Sequence, residues 1–322
     1  MDKQPKLLVI LGPTSTGKTD LGIGLAKKFN GEIISADSRQ VYKYLDIGTG
    51  KKPSIKGQVL RGQGYWTIDG IKIWMYDVVE PDIRFNLYQF IIKAEKIIHT
   101  VSKRGKLPIL VGGTGLYIRS LLEGISDFGV VENSELRQKL EELETGEIIK
   151  RIKAINPIVL KTLNSSEINN KRRLIRLYEK IVSGKSFNEI FPGIEKDFDV
   201  LKIGLTVSRE ALSTRIRERV VARIKQGMAE EAVDLLAQEI LTYERMEELG
   251  LEYRYLGKLI NGEIKSTEDF IEILSTKIRQ FAKRQMTWFK KEKDATWFDA
   301  INEKMPEKVE SAVANWYNIN NE

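Results

Sequence analysis

Cysteine is absent from all 322 residues, and histidine occurs once, as His99. The first absence excludes disulfides, cysteine-ligated zinc and a thiol nucleophile. The second leaves no histidine-rich metal site and argues against a Ser-His-Asp triad. His99 falls in a helical run and reads as a surface or boundary residue. Long hydrophobic runs are lacking too. The apolar run ahead of Gly12 is only a few residues long, and nothing approaches the ~20 apolar residues of a membrane span. A cytoplasmic protein with no membrane partner is expected.

What is present describes a globular chain, with 42% hydrophobic and 30% charged residues. Its length allows one large core and a smaller unit, since single cores stop growing near ~250–300 residues. The net charge of +7 and the pI near 9.2 suit a polyanionic partner, or a solvated surface that happens to be basic.

The most specific signal is Gly12-Pro13-Thr14-Ser15-Thr16-Gly17-Lys18-Thr19, a complete G-x-x-x-x-G-K-[ST] phosphate loop. Lys6 to Leu11 precedes it as a short buried strand. Lys18 to Phe29 follows as a helix, with Leu21, Leu25 and Phe29 on one face and Ala26 beside them. In this context the glycines let backbone N–H groups turn toward phosphate oxygens, and the helix N-terminus adds partial positive charge. Lys18 reaches the outer phosphate, and the Thr19 hydroxyl is placed for Mg²⁺. The chain is expected to bind a di- or triphosphate.

Glu32 to Ser35 reads as a second strand, Thr49 to Gly70 as an irregular excursion, and Ile71 to Tyr76 as another strand. A helix over Asn86 to Lys103 leads into a buried strand, Leu107 to Val111, followed by Gly112-Gly113-Thr114-Gly115. This alternation predicts an α/β fold, a phosphate-loop parallel sheet flanked by helices. From 127 to 196 the texture becomes charged and helical, which predicts an all-helical insertion. The core is then residues 1–126 and 197–322. In its second part, Leu201 to Val207 is a strand, and Arg209–Gln226, Ala229–Glu239 and Thr267–Lys290 are helices.

Asp37 stands at the end of the second strand, where an open parallel sheet places its ligand crevice. It suits proton transfer or a metal-bound water there, or else a local turn. The strand Leu107 to Val111 ends in glycines rather than in the acidic residue of a motor ATPase. These glycines fit either close approach by a bulky group, with a Thr114 hydroxyl at hand, or a tight turn. Basic residues cluster at Lys171-Arg172-Arg173 with Arg176, at Arg215, Arg219 and Arg223 (one helical face), and at Lys283-Arg284. They suggest a second, larger phosphate-bearing substrate, the alternative being plain solvated faces. Trp288 and Phe289 read as core.

Taken together, the phosphate loop, Ile34-Ser-Ala-Asp-Ser-Arg-Gln-Val-Tyr42, Asp46-Ile-Gly-Thr49, Leu110-Val-Gly-Gly-Thr-Gly-Leu-Tyr117, Arg173-Leu-Ile-Arg176 and Ala282-Lys-Arg-Gln-Met-Thr-Trp288 resemble the tRNA dimethylallyltransferase (tRNA isopentenyltransferase) family. The likeness runs from about Leu7 to Asp299. It implies transfer of a dimethylallyl group from dimethylallyl diphosphate to N6 of the adenosine 3′ of the anticodon, with Mg²⁺ as cofactor and the tRNA anticodon stem-loop as partner. A monomer is expected, although the sequence itself does not give the oligomeric state.

By the same resemblance Gly12 to Thr19 hold the diphosphate. Asp37 is the general base, and Thr14 and Lys18 also act in catalysis. Asp37, Ser38, Arg39, Gln40 and Thr114 lie along the RNA, as do Arg137, Asn170, Lys171, Arg172, Arg173 and Leu174 in the insertion. Three segments depart from the family pattern: Trp74-Met-Tyr76 replaces a His-His-Leu stretch, Asn170 an Asp, and Gly250-Leu-Glu-Tyr-Arg254 a Gly-Tyr-Lys/Arg segment. The rival readings are a small-molecule kinase using ATP, a prenyltransferase acting on free adenine nucleotides, and a nucleotide-gated RNA-binding protein. A long basic insertion speaks against the second, because AMP needs no such surface.

Overall fold

The computed structural model describes residues 4–51, 58–125, 133–183 and 190–318. Strand β1, Lys6–Leu11, is fully buried from Leu7 onward. Burial on both faces places it inside a helix-covered sheet. Helix α1, Lys18–Lys28, starts from a left-handed Gly17 at φ 84° and turns Gly22, Ile23, Leu25 and Ala26 inward. Leu21 and Phe29, expected on that buried face, are only partly buried beside it. Strand β2, Gly31–Ala36, is buried throughout.

The stretch expected to be irregular contains two strands, β3 (Val59–Gly62) and β4 (Tyr65–Ile68), which form an antiparallel meander with β5, Ile71–Trp74. Its glycines and lysines mask an alternation in which Trp66 and Ile68 are fully buried. Residues 52–57 of that stretch lie outside the described residues. Helix α2, Leu87–Lys103, opens on a capping box between Asn86 and Gln89. It leads to β6, Leu107–Gly112, and α3, Gly115–Leu122.

The chain divides into two compact units, residues 1–122 with 194–322, and residues 123–193. The described elements of the smaller unit are five helices: α4 (Ser134–Glu141), α5 (Thr145–Ile155), α6 (Pro157–Lys161), α7 (Ser165–Ile168) and α8 (Lys171–Val182). Its core is Leu140, Ile148, Ile152, Leu174 and Ile175. Residues 127–132 and 184–189 lie outside the described residues.

The larger unit resumes with β7, Asp199–Thr206, then α9, Arg209–Lys225, and α10, Met228–Ala237. Helices α11 (Tyr243–Leu249) and α12 (Leu251–Ile260) follow, then the long α13, Thr267–Phe289. Strand β8, Thr296–Asp299, and α14, Met305–Asn318, complete it. The eight strands form one sheet in the order β3-β4-β5-β2-β6-β1-β7-β8, parallel from β5 to β8. Gly112 pairs with both Leu11 and Ala36. The loops after β1, β2 and β6 therefore leave the sheet side by side, as an open α/β crevice requires. No helix among the described residues is long and apolar enough to cross a membrane.

Candidate active site

The three strand-end loops open onto one cavity of about 520 Å³. Its walls include Thr14, Lys18 and Thr19 from the first loop, Asp37 from the second and Thr114 from the third. In the phosphate loop the Thr16 hydroxyl donates to the Pro13 carbonyl at 2.9 Å, and Lys18 Nζ donates to the same oxygen at 2.6 Å. Burial, with the Arg219 charge beside it, brings Lys18 down to about 7 despite the opposing Asp37 carboxylate. A cation so destabilised gains when an anion arrives.

The arginine stripe of α9, read from the sequence as a basic face for a larger substrate, turns toward this cavity instead. Arg219 Nη1 donates to the Thr14 hydroxyl at 3.1 Å. Arg223 is buried, donating to the Gly48 carbonyl and pairing with Glu252, each at 3.1 Å. Arg215 also lines the cavity, and its Nη1 is buried without a hydrogen-bond partner. Burial, then Arg223, pushes Arg219 well below its ordinary value. A guanidinium stays charged in proteins, so that shift marks under-compensated positive charge. The spacing of the three arginines announced a shared face, but not which way the face points.

Asp37 Oδ1 accepts the Arg39 N–H at 2.8 Å, so the turn role and a place on the cavity wall coexist. The Ser38 N–H faces the Thr114 hydroxyl at 3.4 Å. Gln40 is buried and spans from the Ser35 hydroxyl, 2.7 Å away, to the Thr49 and Gly50 carbonyls. The strand-end glycines admit bulky neighbours. A Cβ on Gly113 would lie 2.5 Å from Gln285 Nε2, and one on Gly115 2.2 Å from the Trp288 ring. Gln285, which sequence reasoning left without a role, ties two of the loops together. It accepts from the Thr14 N–H at 2.9 Å and donates to the Gly113 carbonyl at 2.7 Å.

The remaining sequence-derived residues sit in the helical unit. Asn170 caps α8 by accepting the Arg173 N–H, and Lys171 donates to the Glu141 carbonyl. Arg172 and Arg173 are exposed. Leu174 is not available to RNA through its side chain, because it is fully buried in that unit's core. Arg137 is engaged with buried Glu179 through Nε at 2.7 Å and Nη2 at 2.9 Å. No cluster of three or more His, Asp or Glu side chains suited to a cation occurs among the described residues. The cavity instead offers the Thr19 hydroxyl and the Asp20 and Asp37 carboxylates, all hard oxygen donors.

Residues 40–292 match the IPP transferase family, and residues 5–61 match the isopentenyl transferase family. The chain is a member of the IPP transferase family. It is 37% identical over 310 residues to a tRNA dimethylallyltransferase of Staphylococcus haemolyticus, covering 92% of this chain and 87% of that one. Identity to tRNA dimethylallyltransferase 2 of Treponema denticola is 40% over 287 residues, covering 88% and 91%. A tRNA isopentenylpyrophosphate transferase structure from Staphylococcus epidermidis aligns with TM-score 0.66 and 34% identity, over 97% of this chain and 99% of that one. A eukaryotic dimethylallyltransferase acting on tRNA gives TM-score 0.77 at 27% identity, over 98% and 79%.

The segments that depart from the IPP transferase pattern have definite places here. Tyr76 is a buried part of the cavity wall, and Trp74 Nε1 donates to Glu32 at 2.7 Å. Leu251 and Glu252 line the cavity, and Tyr253 packs under Gly48.

Proposed function

We propose that this protein is a tRNA dimethylallyltransferase. In this reading it joins C1 of dimethylallyl diphosphate to N6 of the adenosine 3′ of the anticodon and releases diphosphate. The observation that carries the reading is the meeting of Asp37 with Lys18, Thr14 and Arg219 around one cavity. A base facing a set of under-compensated cations suits a reaction in which one partner loses a proton while the other departs as an anion.

N6 of adenine is a poor nucleophile, because its lone pair is delocalised into the ring. As the N6–C1 bond forms, the C1–O bond breaks and its electron pair leaves with the diphosphate. The N6 proton passes to the Asp37 carboxylate, which the Arg39 N–H holds in place. Lys18, Arg219 and the loop amides meet the charge that develops on the leaving group. The Thr19 hydroxyl, with Asp20 or Asp37 near it, would hold Mg²⁺, a metal that takes few protein oxygens and keeps phosphates and waters for the rest of its shell. When bound, the metal neutralises charge on the departing diphosphate.

The adenosine must leave its stack to reach Asp37. We assign the anticodon stem-loop to the helical unit, residues 123–193, with Arg172 and Arg173 on phosphates and Asn170 and Lys171 beside them. Ser38, Arg39, Gln40 and Thr114 line the path of the target base. In this reading the enzyme acts as a monomer, and a tRNA substrate supports a cytoplasmic location. Mass analysis of tRNA nucleosides after incubation with protein and dimethylallyl diphosphate tests the reading. Isopentenyladenosine is the expected product. Unchanged tRNA mass with intact tRNA binding would leave the RNA-binding alternative, and phosphoryl transfer from ATP would establish the kinase.

A further inference from the structure

One carboxylate outside the cavity gathers an unusual set of donors. Glu231, on α10, accepts three consecutive backbone N–H groups: Asp46 at 3.0 Å and Ile47 at 2.8 Å on Oε2, and Gly48 at 3.1 Å on Oε1. The Tyr253 hydroxyl donates to Oε1 at 2.8 Å. Burial, then the carboxylate beside it, pushes the Tyr253 phenol well above its ordinary value, which keeps it a donor. Successive N–H groups converging on an anion form a nest. Here the anion belongs to the protein.

The nest shapes residues 46–50, whose far end is part of the cavity wall. The loop touches the reacting groups on two sides. Gln40 donates to the Thr49 and Gly50 carbonyls, so the loop braces the segment that carries Asp37. Arg223 donates to the Gly48 carbonyl, and Gly50, at φ 67°, lies against the arginine pair. A Cβ there would come within 1.8 Å of Arg223 Nη2 and 2.4 Å of Arg219 Nη2. A shift of the loop toward the pair would therefore crowd Arg219, which bonds Thr14.

We propose that Glu231 is a positioning residue for the transfer step, acting through the 46–50 loop to set Arg219 against the phosphate loop. The proposal rests on the transferase reading above. A carboxylate is required, since all four of its partners are donors. The amide of a glutamine would set its hydrogens against the Asp46 and Ile47 N–H groups or, flipped, against the Gly48 N–H, where only the Tyr253 hydroxyl could turn to accept. Glu231→Gln should therefore behave much like Glu231→Ala, against the usual rank of conservative changes. Tyr253→Phe removes one donor and keeps the nest, so its effect should be smaller.

The test begins with the wild-type protein, dimethylallyl diphosphate and tRNA. Product formation there establishes the transferase reading independently of Glu231. In Glu231→Gln, kcat should fall roughly 10–100-fold, the cost of small misplacement in a pre-organised site. Its Kd for tRNA should stay within a few-fold of wild type. Melting temperatures of all variants separate misplacement from unfolding, and Tyr253→Phe supplies a milder lesion should Glu231→Gln fold poorly. The deciding comparison is with Arg219→Ala. If Glu231 acts through Arg219, the double variant loses little more kcat than Arg219→Ala alone. Multiplying losses, or a wild-type kcat in a folded Glu231→Gln protein and in Tyr253→Phe, would overturn the proposal.

Discussion

Arg219 donates from α9 to the Thr14 hydroxyl at 3.1 Å, which places a guanidinium from the second half of the chain on a loop at its beginning. About two hundred residues separate them. The contact turns a phosphate loop common to many nucleotide-binding proteins into a site with a second fixed cation. In the proposed reaction that cation would face the departing diphosphate.

Arg219→Ala should lower kcat by about 10²–10³, the usual loss when one pre-organised charge stabiliser is removed. The salt dependence of tRNA binding should not change, because the side chain faces the cavity rather than an outer surface. Steady-state kinetics and salt titrations check the two halves. A flattened salt slope with full kcat would return this arginine to the RNA-contacting class.

Asp37→Ala should lower turnover by about 10²–10⁴ while leaving substrate affinities within a few-fold. Single-turnover measurements isolate the step. Asp37→Asn keeps the acceptor for the Arg39 N–H but not the base, so it should be nearly as slow as the alanine variant.

Lys18, held near 7 by burial and Arg219, makes anion binding pH-dependent. Diphosphate favours the ammonium form, so above pH 7 binding must take up a proton. Affinity for inorganic diphosphate should then fall as pH rises from about 7, by up to tenfold per unit. Below 7 the lysine is already charged and contributes no slope. Lys18→Arg should abolish this slope. Calorimetry in two buffers of different ionisation enthalpy counts the proton directly, and zero uptake at pH 8 would contradict the assignment. The same depressed value makes the free protein gain stability from this group as pH rises from about 7 toward 10.5, where the unfolded chain still holds the proton.

Arg172→Ala with Arg173→Ala should weaken tRNA binding and flatten the log–log salt slope by roughly one to two units, one for each phosphate no longer neutralised. Donor binding should be untouched. Titrating labelled tRNA at several salt concentrations decides between this and a solvated helix, which predicts an unchanged slope.

Arg137→Ala tests a different balance. It strips two charge-assisted bonds from Glu179, a buried carboxylate that keeps a 3.3 Å contact with Arg176. A loss of about 1.5–3 kcal/mol in the helical unit is expected. Hydrogen exchange over α8 reads it. Weaker tRNA binding with unchanged exchange would instead make Arg137 a direct contact.

Local sequence determined the parts whose physics is local. The buried run Leu7 to Leu11, the glycines and Lys18 of the phosphate loop, and the capping residues Asn86 and Gln89 each carry their own structural instruction. The alternation of buried strands with helices then implies the parallel sheet. Where glycine and lysine dilute the alternation, at Val59 to Ile68, two strands carry no clear pattern in the sequence. The short helices α11 and α12 are equally faint in the sequence, since a few turns offer little periodicity.

Only the tertiary structure decided which way the arginines of α9 face, because a helical stripe has the same spacing whether it meets solvent or a cavity. It likewise decided that Leu174 is core, that Gln285 ties Thr14 to Gly113, and that Glu231 receives the N–H groups of residues 46–48. Each of these rests on contacts between segments far apart in the chain. Sequence spacing reports which residues share a face, and only folding reports what that face meets.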